Sequence, residues 1–217
     1  MKPLRALYRA VFKRSYQFKG VCSSQLWATD QYDLVALAKG LHKNPLMVEI
    51  GAWCGQTALI LGSVALVKDG HLFSIDTFDG RGSILEGYAK EINILEVFTR
   101  NMVAADLCDV VHPVVGLSDV VAEAFLPNSV DFVFVDGDHR YAQVKKDITE
   151  WYKRVKPGGR ICGHDYDGPT FEKGHEAEDC DDKWYHHGVV RAVNELLPDH
   201  KVLGKMWYYD KPIKEAA

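Results

Sequence analysis

Two short stretches hold the residue types that bond-making chemistry uses. Asp136-Gly137-Asp138-His139-Arg140-Tyr141 follows the apolar run 131–135, and His164-Asp165 follows the run 160–163. Each run has the length and the β-branched or aromatic content of a buried strand, so the polar groups fall at strand carboxyl ends. With the two strands as neighbours, Asp136, His164 and Asp165 converge at one edge of a sheet. Their ligand types suit a divalent cation, with oxygens for magnesium and a nitrogen that would also admit manganese, iron or zinc. A structural hydrogen bond between His164 and Asp165 is the other reading of that pair.

The element that must position this edge is the stretch 46–59, Leu-Met-Val-Glu-Ile-Gly-Ala-Trp-Cys-Gly-Gln-Thr-Ala-Leu. It reads as a buried strand, a tight turn through Gly51 and Gly55, and a helix continuing through Leu61, Val64 and Val67. In an open α/β sheet, ligands bind at the carboxyl ends of the strands, which makes this turn the floor of a site. A dinucleotide turn needs G-x-G-x-x-G, and Trp53 fills the place of the second glycine, so a pyrophosphate fits badly. No lysine followed by Ser or Thr comes after Gly55, which disfavours a nucleoside-triphosphate loop. What remains is a ligand with an amine, a carboxylate and a nucleoside. Glu49 can accept from an ammonium, while Thr57 and the N–H groups of the helix start can hold a carboxylate. S-adenosylmethionine has both groups and no phosphate.

A second strand over 71–75 ends at Asp76. An acidic residue some twenty to twenty-five positions beyond the glycine turn stands where nucleoside-binding sheets hold a ribose diol; a helix cap is the plainer use of such an Asp. A glycine-rich loop follows at 79–88, then a helix over 92–107 with Leu95, Phe98 and Met102 on one side, then a third strand over 110–115. Gly116-Leu117-Ser118-Asp119 comes next, where Ser118 can cap a helix. Beyond the fourth strand a helix runs through Val144, Ile148, Trp151 and Tyr152, and Pro157-Gly158-Gly159 reads as the turn that opens the fifth strand. Residues 166–188 form a long polar loop carrying His175, Glu176, Glu178, Asp179, Cys180, Asp181, Asp182, His186 and His187, whose length and place suit an acceptor lid. Its Cys and His spacing matches no zinc pattern, so it reads as a solvated acidic loop. A helix over 188–197 ends at Pro198, and short strands over 201–203 and 205–209 close the sheet as a reversed hairpin.

The chain as a whole sets limits on these readings. Its 217 residues suit one α/β domain, with residues 1–45 as a helical extension and 46–210 as the core. Charged residues at 26% and hydrophobic ones at 47% lie near globular averages, which argues against disorder. A net charge of -4 argues against a nucleic-acid footprint over the whole surface. Cys22, Cys54, Cys108, Cys162 and Cys180 are odd in number, with no C-x-x-C, and suggest neither a disulfide framework nor a zinc knuckle. Cys54 and Cys162 read as small buried hydrophobes, and a reducing cytoplasm is the simplest location. No apolar run long enough to span a membrane and no signal peptide is visible. Residues 1–20 have the spacing of a basic amphipathic helix. That helix could pack on the core, join a second subunit in a homo-oligomer, or serve as a membrane-surface or nucleic-acid arm. Asp30 can cap a further helix through Leu34, Leu37 and Leu41.

Gly51-Ala52-Trp53-Cys54-Gly55-Gln56-Thr57-Ala58 closely resembles the first motif of catechol O-methyltransferase and its class I S-adenosylmethionine-dependent methyltransferase relatives. The resemblance covers roughly residues 46–197. It implies a doubly wound, Rossmann-like, mostly parallel seven-stranded sheet, with a cofactor-binding set of Glu49, Gly51, Trp53, Gly55, Thr57, Asp76, Ser118, Asp119 and Asp136. Ser118 and Asp119 resemble the segment that meets the adenine edge. In the metal-dependent O-methyltransferases, the strand-four Asp and two adjacent residues after strand five coordinate the ion, roles that fall by position on Asp136, His164 and Asp165. The family usually has a carboxylate where His164 stands, which puts the identity of the metal, and the need for one, in question. His139 stands three residues after Asp136, where the relatives keep a catalytic base. A histidine titrating near neutrality suits proton removal from a hydroxyl. The segment 133–148, with Asp-Gly-Asp-His-x-Tyr and Val-x-x-Asp-Ile, looks like the branch that methylates sugar hydroxyls of macrolides and other antibiotic precursors. The implied reaction is methyl transfer to a small sugar, polyol or phenolic hydroxyl. A nicotinamide oxidoreductase and a non-catalytic protein that binds S-adenosylmethionine are the alternatives.

Overall fold

The computed structural model describes residues 28–80, 90, 92–166, 181–182 and 185–213. The expected basic helix over 1–20 lies outside these residues, as do most of the 79–88 loop and most of the 166–188 loop.

Seven strands form one sheet: β1 Leu46–Ile50, β2 His71–Asp76, β3 Val111–Val115, β4 Val130–Val135, β5 Val155–Gly163, β8 Lys201–Leu203 and β9 Met206–Asp210. Their order is β3-β2-β1-β4-β5-β9-β8. The first five run parallel, and β9 pairs antiparallel with both β5 and β8. This is the doubly wound, mostly parallel sheet with a reversed closing hairpin that the sequence predicts. A separate ribbon joins β6 Asp181–Asp182 to β7 Tyr185–His186, inside the stretch read as loop.

The strands alternate between two cores, as a sheet covered on both faces requires. Met47, Phe132 and Phe134 pack with helices α1 Ala28–Ala38, α2 Gln56–Val67 and α3 Ile94–Ala104. On the opposite face Val48, Ile50, Val133 and Val135 pack with α5 Tyr141–Arg154 and α6 His187–Leu196, while the short α4 Ser118–Val121 runs into a 3₁₀ turn. α2 is buried from Thr57 through Ala65, so it has no polar stripe to show. Strand order reverses between β1 and β4, and there the chain turns at Gly51 and Asp136. Parallel sheets open a crevice at this point.

Several local expectations need correction. β5 begins at Val155, ahead of Pro157-Gly158-Gly159, and the β4–β5 register shifts between Val130 and Phe132. The glycine pair is therefore absorbed as an irregularity within the strand, with Gly158 at φ 80. Asp30 does not cap α1: it lies within the helix's first turn and is buried. Ser118 is not the cap of α4, whose N-cap is Leu117 with no side-chain bond. Cys54 is buried as expected, but it is disulfide-bonded where the cysteine spacing suggests no disulfide framework, because spacing along the chain does not reveal which thiols the fold brings together. Cys162 is the expected buried thiol, donating to the Val133 carbonyl at 3.3 Å, and burial raises its pKa.

Candidate active site

The floor of the crevice follows from the residues of the β1–α2 turn. Gly51 has φ 87, and a Cβ there would lie 2.1 Å from the Asp136 carbonyl oxygen, so only glycine lets the β1 and β4 ends meet. Gly55, at φ 92, is the N-cap of α2 and, having no side chain, supplies no cap bond; N–H groups at a helix start suit a ligand's acceptor group. Thr57 is buried in that turn.

Glu49 alternates toward the α2 face and is fully buried. Its β2 register partner, Ser74, donates a hydroxyl to Oε2 at 2.6 Å. Oε1 has no hydrogen-bond partner among the described residues. Burial pushes the Glu49 pKa up to about 8; the Ser74 bond opposes this, and the charges of Asp136 and Asp76 add to it. A buried carboxylate oxygen without a donor is costly, and a ligand ammonium is a group that would relieve it.

Asp76, at the end of β2, accepts the Trp53 N–H on Oδ2 at 2.8 Å and the Phe78 N–H on Oδ1 at 2.7 Å. It thus ties two strand-end loops together, with Trp53 and Phe78 both at positive φ. With Thr77 also contributing a backbone bond, the carboxylate retains some of its roughly four acceptor directions for a hydroxyl. Burial raises the pKa of Asp76 and the backbone N–H bonds partly offset that rise.

Ser118 is buried and donates its hydroxyl to Asp147 Oδ1 on α5, which also accepts from Gln143 Nε2 at 3.0 Å. Burial pushes Asp147 up to about 7, against the pull of these two bonds. Asp119 is half-buried, with Lys146 Nζ 3.9 Å from Oδ2. Ser118 is therefore hydrogen-bonded to α5, and Asp119 lies at ion-pair distance from it.

On the β4–β5 side the structure gathers the polar residues of both motifs. One ligand atom each from Asp136, His164 and Asp165 lies within 4.8 Å of the others, and the same holds for His139, Asp165 and His186. Asp165 is the hub. Its Oδ1 is 2.9 Å from His164 Nδ1 and 3.5 Å from His186 Nε2, and its Oδ2 is 3.0 Å from His139 Nε2. His139 Nε2 also stands 3.8 Å from Asp136 Oδ1. Asp165 has φ 60, a conformation Asp tolerates better than most residues. Burial alone would lower the pKa of His164, but the Asp165 bond and the charges of Asp136, Asp165 and Asp30 outweigh it and raise it to about 9. Burial would raise Asp165; the bond to His164 and the charges of His164, His139 and His186 lower it instead.

Asp138, which could have oriented the His139 ring, is instead engaged with its neighbour: Oδ1 accepts the Arg140 backbone N–H at 2.9 Å and Oδ2 accepts Arg140 Nε at 2.9 Å. Two members of the cluster were not singled out from sequence. Asp30 approaches His164 Nε2 at 3.4 Å from α1, more than a hundred positions away in the chain. His186, read as part of a solvated loop, is brought in at the start of α6. The signal in that stretch is Gly188, where a Cβ would lie 2.3 Å from the His139 carbonyl oxygen. The close approach seats the start of α6 on the loop that carries His139.

The donor atoms fit a divalent ion in type: two carboxylates and an imidazole within reach of one another. His164 Nε2 is buried and makes no hydrogen bond among the described residues. No helix among the described residues is long and apolar enough to cross a membrane.

A family model described as a methyltransferase domain matches residues 48–166. The chain is similar to the O-methyltransferase NovP, with a TM-score of 0.66 and 15% identity over 96% of this chain and 98% of that one. It is also similar to an O-methyltransferase from Bacillus cereus solved with SAH, with a TM-score of 0.59 and 15% identity over 97% and 91% of the two chains. A precorrin 8w decarboxylase from Methanobacterium thermoautotrophicum shares the fold as well, with a TM-score of 0.55 and 15% identity over 86% and 91%. Among curated proteins, the uncharacterized protein R132 of Acanthamoeba polyphaga mimivirus is 36% identical over 74 residues, 34% of this chain. The match spans 27% of the length of that protein.

Proposed function

Since the chain belongs to the methyltransferase-domain family, we propose that it transfers the methyl group of S-adenosylmethionine to a hydroxyl of a small sugar, polyol or phenolic acceptor. The observation that carries this reading is the meeting of two half-sites at the β1–β4 switch point. On one side stands the buried Glu49 oxygen that lacks a donor. On the other stands the Asp136, His139, His164 and Asp165 cluster.

In this reading Glu49 Oε1 accepts from the ammonium of the donor, and Thr57 with the first-turn N–H groups of α2 holds its carboxylate. Asp76 takes the ribose hydroxyls, and Ser118 and Asp119 border the base. The methyl group is already activated by its positive sulfur, so the protein's part is to align oxygen, carbon and sulfur and to deprotonate the acceptor. Asp136, His164 and Asp165 would hold a divalent ion, magnesium or manganese, which when bound lowers the pKa of a hydroxyl oxygen. His164 would join that set as neutral imidazole, giving up the proton that its carboxylate neighbours stabilise. His139 takes the acceptor's proton, and its Nε2, 3.0 Å from Asp165 Oδ2, lets that carboxylate stabilise the imidazolium that forms.

The test has two arms. Calorimetry with S-adenosylhomocysteine should show binding at a single site. A library of hydroxylated acceptors incubated with S-adenosylmethionine should yield O-methylated product. Cofactor binding without transfer to any acceptor would point to the non-catalytic alternative, and absence of cofactor binding would end the proposal.

A further inference from the structure

The second trio around Asp165 supports an inference that rests on the role proposed for His139. His139 and His186 both direct Nε2 at the Asp165 carboxylate, one to each oxygen, at 3.0 and 3.5 Å. Their rings stand edge to face with centroids 4.3 Å apart. The three side chains are 25%, 20% and 12% exposed, so the group can be reached from solvent yet is shielded enough to strengthen coordination. One ligand atom from each of the three lies within 4.8 Å of the others, close to the spacing of about 3.3–3.6 Å that metal–ligand bonds of about 2.0–2.2 Å in a tetrahedron require. Two imidazoles and one carboxylate are a softer set than the two carboxylates and one imidazole of Asp136, Asp165 and His164, and they favour zinc-like ions over magnesium.

We propose that His139, Asp165 and His186 form a regulatory site for a borderline transition-metal ion such as zinc, and that its occupancy silences methyl transfer by tying up the His139 ring and the Asp165 carboxylate that supports it. The site differs from the one assigned to the assisting ion through its use of His139 and His186, and the two sets compete for Asp165. Gly188 fixes the geometry by holding the start of α6 against the His139 carbonyl.

The experiment is a zinc titration of the full chain stripped of metal, read by calorimetry and, with cobalt(II) in place of zinc, by visible absorption. One equivalent should bind with a spectrum of low coordination number. His186→Ala and His186→Gln should each weaken that binding by at least about tenfold, the low end of what even outer-sphere partners are worth. Thermal melts verify that both variants fold, the glutamine variant preserving side-chain bulk. In the transfer assay with magnesium present, stoichiometric zinc should stop the wild-type protein, whereas His186→Ala should need at least about tenfold more zinc for the same fractional loss of its own zinc-free rate. Equal zinc affinity in the wild type and both folded variants overturns the site. Tight binding that leaves the wild-type rate untouched overturns the regulatory role. The calorimetric arm needs no turnover, so a protein inactive toward all acceptors would count against the function proposed above while leaving the site readable.

Discussion

If Glu49 receives the ammonium of the cofactor, binding must depend on pH over an interval where an ordinary glutamate would be inert. Its pKa lies at about 8, against 4.5 for an exposed glutamate. The unliganded carboxyl is then mostly neutral at pH 7, roughly one part in ten ionised, and at pH 6 roughly one part in a hundred. A ligand that needs the carboxylate binds with its intrinsic affinity multiplied by that fraction, so affinity for S-adenosylhomocysteine should rise about tenfold from pH 6 to 7, about fivefold from 7 to 8, and then level off. The free ligand's ammonium stays charged over this range. Calorimetry in buffers of different ionisation enthalpy should detect the release of roughly 0.9 proton per binding event at pH 7, declining toward zero by pH 9. Glu49→Gln should abolish both the slope and the proton release and weaken binding at pH 8.5 by about ten- to a hundredfold, the worth of one hydrogen bond to a charged group. The sign for stability follows independently. A carboxyl whose folded pKa lies above its unfolded one binds extra protons in the folded state, so the chain loses stability as pH rises from about 4.5 through about 8. At ~1.4 kcal/mol per pH unit the full effect is on the order of 5 kcal/mol. Glu49→Gln should therefore melt higher than the wild type at pH 8.5 and close to it at pH 5. A pH-independent affinity between 6 and 8 with no proton released would refute the assignment.

His139→Ala should lower turnover by about 10²–10⁴-fold, the usual worth of a positioned base, while calorimetry with S-adenosylhomocysteine stays nearly unchanged; a matched loss of both would contradict the role given to it. Excess EDTA should abolish transfer, and magnesium or manganese should restore it. A full rate in chelator would assign the carboxylate cluster to acid–base or structural work. Gly51→Ala places a Cβ 2.1 Å from the Asp136 carbonyl oxygen at φ 87. Strain and overpacking together should cost about 2–5 kcal/mol in urea unfolding, and an unchanged midpoint would mean that the β1 and β4 ends do not meet as described.

The strand ends are legible in the sequence because each parallel strand is a short apolar run stopped by Gly or Asp, a pattern that only a sheet covered on both faces produces. That is why Leu46–Ile50 and Asp76 stand where the runs predict. Asp136, His164 and Asp165 are legible for the same reason, since neighbouring parallel strands end at one edge. The start of β5 is not, because Pro157-Gly158-Gly159 carries the composition of a turn while the sheet absorbs it as a local irregularity. Asp30 and His186 are not legible either. Their parts depend on where α1 and the start of α6 dock, and nothing in a local window encodes docking. Ser118 lies between the two cases: its place after β3 is readable, but its bond to Asp147 on α5 is not.

The coupling between the two half-sites rests on backbone more than on side chains. Gly51 N–H donates to the Ile75 carbonyl, and Asp136 N–H donates to the Ile50 carbonyl, both at 2.9 Å. The turn under the cofactor is thus hydrogen-bonded to its two flanking strands, and the carboxylate edge is hydrogen-bonded to that turn. The residues that would seat a donor on Glu49 and an acceptor on the Asp136 cluster are thus tied through the single peptide link at residues 50–51, whose geometry cannot vary without breaking ladder bonds. In-line transfer needs that constancy, because misplacement by even an ångström is expensive in rate. Side chains can be exchanged around the link to suit different hydroxyls, whereas the link itself tolerates no Cβ at residue 51.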